Sequence, residues 1–236
     1  MIVLGHRGGR GEGWPAENSL DAFQRALDEG ADGVELDVRL CATGEPVVVH
    51  DRSLARATGG ADARLVHAVG RRDLPKLAGG AEVADLDAAL DLLRGRIVNV
   101  EVKADVPARL PLVRAVARAI ARARAVDVVV SSFDPAIVLA FAVVAPRVPR
   151  AMLVGPRTPR LAVALPLAIR RAIVAAHLDD ATIVSPRVAR LRRAGLRVVG
   201  WTVNDPARAR ALAAMGVEWL ITDDPRGILA AATPAT

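Results

Sequence analysis

Four ionisable residues sit inside two short apolar runs of this chain. Glu35 and Asp37 interrupt Val34–Val38 (VELDV), and Glu101 and Lys103 close Ile97–Lys103 (IVNVEVK). Side chains two apart on a strand leave the same face. Strands of this kind are normally buried and apolar, so charges within them are expensive unless partnered. Three converging carboxylates offer hard oxygen ligands that suit Mg²⁺ or Ca²⁺ better than Zn²⁺, which makes Glu35, Asp37 and Glu101 candidate metal ligands. The alternative is a buried structural salt bridge in which Lys103 pairs Glu35 or Glu101. His6 and His50, two of four histidines, fall at predicted strand ends. Beside a carboxylate cluster they are candidates for a general acid and base. Arg7 presents a planar fork for a phosphate or carboxylate. Lys103 is one of only two lysines, with Lys76, in a chain whose other cations are arginine.

The elements that must position these groups alternate along the chain. Strand candidates are Ile2–Gly5, Gly33–Val38, Ile97–Lys103, Val126–Ser131, Arg150–Val154, Ala172–Ala176, Val198–Val203 and Glu218–Thr222. Between them run helical patterns that stop at glycine: Leu20–Glu29, Leu86–Arg94, Arg187–Ala194 and Ala207–Met215. Asp134-Pro135, Ser185-Pro186, Asp205-Pro206 and Asp224-Pro225 each place a capping side chain before a proline at the first helical position. Repeated strand, cap, helix and glycine units imply parallel strands. Eight of them match an α/β (β/α)₈ barrel. A doubly wound sheet would want a dinucleotide-binding glycine turn, and Gly8–Gly13 lacks that spacing. No linker or composition break divides residues 1–236, so one barrel domain is expected.

One segment breaks the alternation. Val34–Arg39 is followed too closely by Pro46–His50 for a helix to intervene, which predicts a β-hairpin excursion after the second strand, turning at Thr43-Gly44. With those as central turn residues, Asp37 faces His50; a one-residue slip still returns His50 to the level of the carboxylates. A compact insertion, about 51–96, precedes the third barrel strand.

Composition narrows the function classes. The chain is 52% hydrophobic, 25% charged and 3% aromatic, which excludes disorder and fibrous structure. Ala136–Ala145 and Leu161–Leu167 are the nearest approaches to a membrane span; Pro146 ends the first and Pro166 interrupts the second. No transmembrane segment is therefore expected. Met1–Leu4 runs straight into Gly5-His6-Arg7 without a signal-peptide pattern, and the single cysteine, Cys41, fits a reducing compartment. A cytoplasmic protein is the expectation. The net charge of +6 raises nucleic-acid binding. Yet the arginines are scattered, tyrosine is absent and stacking aromatics are few, so no nucleic-acid partner is expected.

An ordered set of motifs carries a family resemblance. Gly5-His6-Arg7-Gly8, Pro15–Ser19 (PAENS), Asp32–Val38 (DGVELDV), Val47–Asp51 (VVVHD), Glu101-Val102-Lys103, Ser131-Ser132-Phe133, Trp201–Asn204 (WTVN) and Ile221–Pro225 (ITDDP) resemble the glycerophosphodiester phosphodiesterase family. The resemblance implies a TIM barrel, His6 and His50 as acid and base, Glu35, Asp37 and Glu101 as metal ligands, and Arg7 and Lys103 as phosphate contacts. It implies hydrolysis of a small-molecule glycerophosphodiester to glycerol 3-phosphate and an alcohol, with a divalent metal as cofactor. Phe133 and Trp201 are further candidates for the substrate pocket. Ala16 and Ser19 depart from the family's Pro-Glu-Asn-Thr, and Gly9–Trp14 makes a longer first loop. Rival readings are a lysophospholipase D-like enzyme, which would want an apolar groove from Phe133, Trp201 and Trp14, and a non-catalytic basic binding module.

Overall fold

The computed structural model describes residues 1–123, 126–156, 158 and 167–232. Eight parallel strands close into a ring: β1 (Ile2–His6), β2 (Gly33–Leu40), β4 (Ile97–Val102), β5 (Asp127–Ser132), β6 (Arg150–Val154), β7 (Ala175–Asp179), β8 (Arg197–Trp201) and β9 (Trp219–Thr222). Pairing of β1 with both β2 and β9 completes the circle. A ninth strand, β3 (Pro46–Val48), lies outside the ring, antiparallel to β2. Around the ring pack α1 (Leu20–Asp28), α2 (Leu86–Leu92), α3 (Arg109–Arg122), α4 (Pro135–Val144), α5 (Leu167–Ala172), α6 (Ser185–Arg193), α7 (Pro206–Ala214) and α8 (Pro225–Ala232). Among the described residues no helix is long and apolar enough to cross a membrane. Of the stretch Leu161–Leu167, all but Leu167 fall outside the described residues.

Helix boundaries follow local chemistry. Ser19 caps α1 by accepting from the Ala22 amide, and Asp134 and Asp205 cap α4 and α7 ahead of their prolines. Ser185 does not cap: α6 starts at Ser185 itself, because the Arg187 and Val188 amides donate to the Val184 carbonyl. On α3, Leu112, Val113 and Val116 face the core while Arg114, Arg118 and Arg122 stay in water.

Two expectations are corrected. The hairpin pairs Val38 with Val48, one residue off the expected register. Its turn has three residues, since the Cys41 amide bonds the Glu45 carbonyl and Gly44 takes a left-handed φ of 94° that absorbs the extra residue. The sixth barrel strand, β7, is Ala175–Asp179, not Ala172–Ala176, because Ala172 still belongs to α5.

Following the strand registers around the ring, inward side chains fall into tiers of four from alternate strands. The lowest tiers are apolar and include Leu4, Val129, Ala151, Ala175, Val199 and Trp219, with Asn99 the exception. The next tier up brings Glu35, Ser131, Ile221 and His177; above it come His6, Glu101, Leu153 and Trp201. Polarity therefore begins halfway up the barrel and rises toward the carboxyl ends of the strands.

With the strand so placed, His177 lies mid-strand in that interior, fully buried, rather than past the end that Ala172–Ala176 would give it. Neither ring nitrogen has a partner among the described residues. Burial, with a smaller push from the Arg197 charge, lowers its pKa to about 3. The unfolded chain titrates near the ordinary value of about 6.5, so below that pH the unfolded state takes up a proton that the native state refuses. Stability should fall as pH drops from about 6.5 toward about 3, by roughly 2 kcal/mol between pH 7 and 5 from this group alone. Urea melts at both pH values should show that increment in the wild type, and it should vanish in His177→Leu. An unchanged increment in the variant would reject the buried neutral imidazole.

Candidate active site

The site occupies the carboxyl-terminal mouth of the ring. Glu35 and Asp37 are buried on β2, and β2–β4 register sets Asp37 against Glu101. One ligand oxygen from each of Glu35, Asp37 and Glu101 falls within 4.8 Å of the others. The Lys103 ammonium binds both Asp37 Oδ1 (2.6 Å) and Glu101 Oε1 (2.7 Å). Arg7 places Nε 3.0 Å from Asp37 Oδ2, and its backbone amide donates to Glu35 Oε2 at 3.1 Å. Asn18 completes the enclosure of Asp37, donating from Nδ2 at 2.9 Å and accepting from the Asp37 amide.

Tight backbone geometry delivers Arg7. A Cβ on Gly5 would stand 1.9 Å from the Gly8 carbonyl oxygen, so only glycine permits this turn. Arg7 itself has φ 54° and Asn18 φ 63°, joined by a hydrogen bond from the Asn18 amide to the Arg7 carbonyl. Left-handed conformations at non-glycine residues cost on the order of 1 kcal/mol or more each. The return is that the backbone and the guanidinium of one residue reach two carboxylates.

Electrostatics divides the three acids. At Asp37 burial opposes ionisation, but Lys103 and Arg7 overcome it and hold the carboxyl well below the usual range. Burial pushes Glu35 well above its ordinary value, reinforced by the charges of Asp37 and Glu101. Glu101 is also raised by burial and by Asp37, against the pull of Lys103. With all three acids ionised, as holding a cation requires, Lys103 and Arg7 leave one negative charge uncompensated. That deficit and the oxygen-only donor set fit a hard divalent cation.

Each histidine is anchored by an aspartate. His6 Nδ1 lies 2.7 Å from Asp223 Oδ1, and its Nε2 lies 3.9 Å from Glu35 Oε2. Asp223 is itself gripped by Arg10 (2.8 and 3.0 Å) and by Asn204 Nδ2 (2.8 Å). His50 Nδ1 lies 2.6 Å from Asp51 Oδ1, and Arg56 holds the other Asp51 oxygen. Burial lowers the His50 pKa, aided by Lys103 and Arg7 and opposed by Asp37 and Asp51.

A cavity of about 100 Å³ brings together His6, Arg7, Glu35, His50, Glu101, Lys103, Phe133 and Trp201. Asp37 sits behind this lining, bonded to Lys103 and Arg7. Phe133 and Trp201 meet edge to face at 5.6 Å and wall one side. The cavity adjoins a groove of about 560 Å³ bordered by His50, Glu101, Lys103 and Phe133. Larger clefts of about 680 and 800 Å³ lie on the outer helix layer, away from every acidic cluster.

The model of the Glycerophosphoryl diester phosphodiesterase family matches residues 6–226, nearly the whole ring and its mouth. The chain belongs to that family. Membership makes it a phosphoric diester hydrolase. A glycerophosphodiester phosphodiesterase of Caldanaerobacter subterraneus is 27% identical, with 97% of this chain and 96% of that one aligned. The Thermotoga maritima glycerophosphodiester phosphodiesterase superposes with a TM-score of 0.80 at 26% identity, covering 98% and 97% of the two chains. A phosphodiesterase of Oleispira antarctica, solved with sn-glycerol-3-phosphate, shares the fold at TM-score 0.86 and 23% identity, over 98% and 96%.

Sequence reasoning missed the residues that hold this family member's histidines. Asp51 directly follows His50, which was a readable signal. Asp223 lies 217 positions from His6 and only the β1–β9 seam joins them. Neither Glu17 nor Asn18 caps α1: Ser19 does, Asn18 turns to Asp37, and Glu17 pairs Arg7 at 2.9 Å.

Because Glu35 and Glu101 are raised above their ordinary range, they keep protons to higher pH than free carboxyls, and a cation competes with those protons. Loading Mg²⁺ or Ca²⁺ should therefore release protons, and affinity should climb with pH. Calorimetric titration in two buffers of different ionisation enthalpy reads the release directly. Equal heats in both buffers would mean that the acids were already ionised and would reject this charge assignment.

Proposed function

We propose that the chain hydrolyses glycerophosphodiesters to glycerol 3-phosphate and an alcohol, with a divalent cation and paired histidines. The observation that carries this reading is the convergence on one cavity of two aspartate-anchored imidazoles, three acidic oxygens and two cations. The name of the Caldanaerobacter relative, and the sn-glycerol-3-phosphate product bound in the Oleispira neighbour, support the same substrate class.

Glu35, Asp37 and Glu101 would hold Mg²⁺ or Ca²⁺, which when bound supplies positive charge to the phosphoryl oxygens. Arg7 and Lys103 add to that charge from the chain itself, where negative charge builds in the transition state. With Nδ1–H committed to Asp51, His50 offers Nε2 as a proton acceptor, and its lowered pKa keeps it neutral near pH 7. We assign it the base that takes a proton from the attacking hydroxyl, whether of water or of the substrate's own glycerol. His6, fixed by Asp223, gives its Nε2 proton to the leaving alcohol oxygen as the P–O bond breaks. Asp51 holds the His50 ring in the tautomer that leaves Nε2 free to accept, and the Asp223 carboxylate beside Nδ1 balances the imidazolium that His6 must be to give up an Nε2 proton. Phe133 and Trp201 would pack against the carbon skeleton of the substrate.

An acyl-bearing substrate finds less support, because charged Arg39, Asp51, Arg52, Arg56 and Asp105 border the groove beyond Phe133, where the other apolar side chains are the short ones of Ala55 and Ala104. A purely binding role leaves the paired imidazoles without an explanation.

With a glycerophosphodiester of a natural alcohol, alanine at His6 or at His50 should each lower kcat by ~10²–10⁴. With a nitrophenyl leaving group, which needs no proton, His6→Ala should recover most of its rate and His50→Ala should not. EDTA should abolish turnover of both substrates, and Mg²⁺ or Ca²⁺ should restore it. Full activity after metal stripping rejects the cation role. Equal, unrescued losses in the two variants reject the division between acid and base.

A further inference from the structure

The groove beside the cavity has an uneven charge balance. Lys103 is matched by Asp37 and Glu101, and Arg39 by Asp105 at 2.8 Å. Arg56 is matched by Asp51 and Glu17. Arg52 alone among the groove's cations has no ion pair or side-chain hydrogen bond among the described residues. It borders both the groove of about 560 Å³ that reaches Glu101 and Lys103 and a second hollow of about 220 Å³ containing His67. The two hollows share Arg39, Arg52 and Asp105, so Arg52 stands where one opens toward the other. Asp51 and Asp105, the acids beside it, already carry partners.

We propose that Arg52 reads a second negative charge on the leaving alcohol, so that preferred substrates are glycerophosphodiesters whose alcohol bears its own phosphate. This rests on the diesterase reading above. The scissile phosphate would lie at Arg7 and Lys103, and an alcohol extending along the groove meets an unmatched guanidinium suited to forked contact with phosphate oxygens. A quaternary ammonium alcohol meets the reverse: an unmatched positive charge, no free carboxylate, and one aromatic face, Phe133.

The test compares kcat/KM for glycerophosphoglycerol, for the same diester phosphorylated on the leaving glycerol, and for glycerophosphocholine. The wild type should favour the phosphorylated diester, with a margin that shrinks as salt screens the contact. Arg52→Gln should cut the ratio of phosphorylated to unphosphorylated substrate about three- to tenfold, the range for an exposed to half-desolvated charge pair. Arg52→Glu should reverse the order and favour the choline ester. Arg118→Gln, which removes an exposed charge from the outer face of α3, should leave the ratio where it was. Since Arg52 is exposed, equal melting temperatures should accompany these changes. A ratio unmoved by both Arg52 variants, or moved equally by Arg118→Gln, overturns the inference, as does a wild type indifferent to the second charge. A wild type that cleaves none of the three diesters removes the proposed function as well.

Discussion

The burial of Asp37 between Lys103 and Arg7 is the constraint around which the site is built. Desolvating one carboxylate without partners would be prohibitive, and here every neighbour of Asp37 answers that demand. Lys103 comes from β4 through parallel register, Arg7 from a left-handed turn after β1, and Asn18 from the end of the first loop. Once these are fixed, Glu35 and Glu101 lie buried and close to a charge they repel, and burial first, then Asp37, raises both carboxyls. With all three acids ionised, the mouth is thus short of one positive charge. A scaffold that neutralised all three acids internally would gain stability and lose the reason to bind a dication.

Glu17 ties the two imidazole arms to this centre. Three arginines converge on it: Arg7 at 2.9 Å, Arg56 at 2.8 Å and Arg10 at 3.6 Å. Arg56 leads through Asp51 to His50, and Arg10 leads through Asp223 to His6. One half-buried carboxylate therefore connects both proposed proton-transfer groups and a proposed phosphate contact, through arginine ion pairs and the two aspartate–imidazole contacts. Planar guanidinium forks make such links directional as well as attractive. The longer Gly9–Trp14 loop has a structural role in this, because it carries Arg10 across the mouth to Asp223, where its backbone amide also bonds the Asp223 carbonyl.

Much of this arrangement was legible in the sequence because strand periodicity projects it. Period-two spacing put Glu35 with Asp37 and Glu101 with Lys103, and repeated βα units fixed the ring that makes those faces converge. Proline-marked caps at Asp134 and Asp205 located helix starts for the same local reason. What stayed illegible depends on non-local closure. The Asp223–His6 contact exists only because the last strand meets the first, and no pattern near either residue announces it. The Ser185 boundary failed because a serine before proline can begin a helix as well as cap it. The hairpin slipped by one residue because Gly44 supplies a left-handed conformation, which admits a three-residue turn where two were counted. His177 was misplaced with its strand. A three-residue shift moved it from an end, where capping is natural, to the middle of the barrel, where a neutral unpartnered imidazole is the only form burial allows.

The two proton-transfer groups are mounted on different parts of the fold. His6 ends a ring strand, clamped between β2 and β9. His50 follows β3, outside the ring, on an excursion with its own apolar cluster of Val47, Val49, Leu54, Val66, Val69, Leu77 and Val83. That excursion meets the site through polar bridges: the Arg39 Nε–H donates to the His50 carbonyl at 2.8 Å, and Arg56 spans Asp51 and Glu17. Segments with an apolar cluster of their own can open locally before the whole domain unfolds. Local opening here would withdraw the proposed base while leaving Glu35, Asp37, Glu101, Lys103 and Arg7 in place on the ring. The proposed cation and phosphate contacts therefore sit on the ring, and the proposed base sits on an excursion tied to it by the β2–β3 ladder and by Val48 in the main apolar cluster.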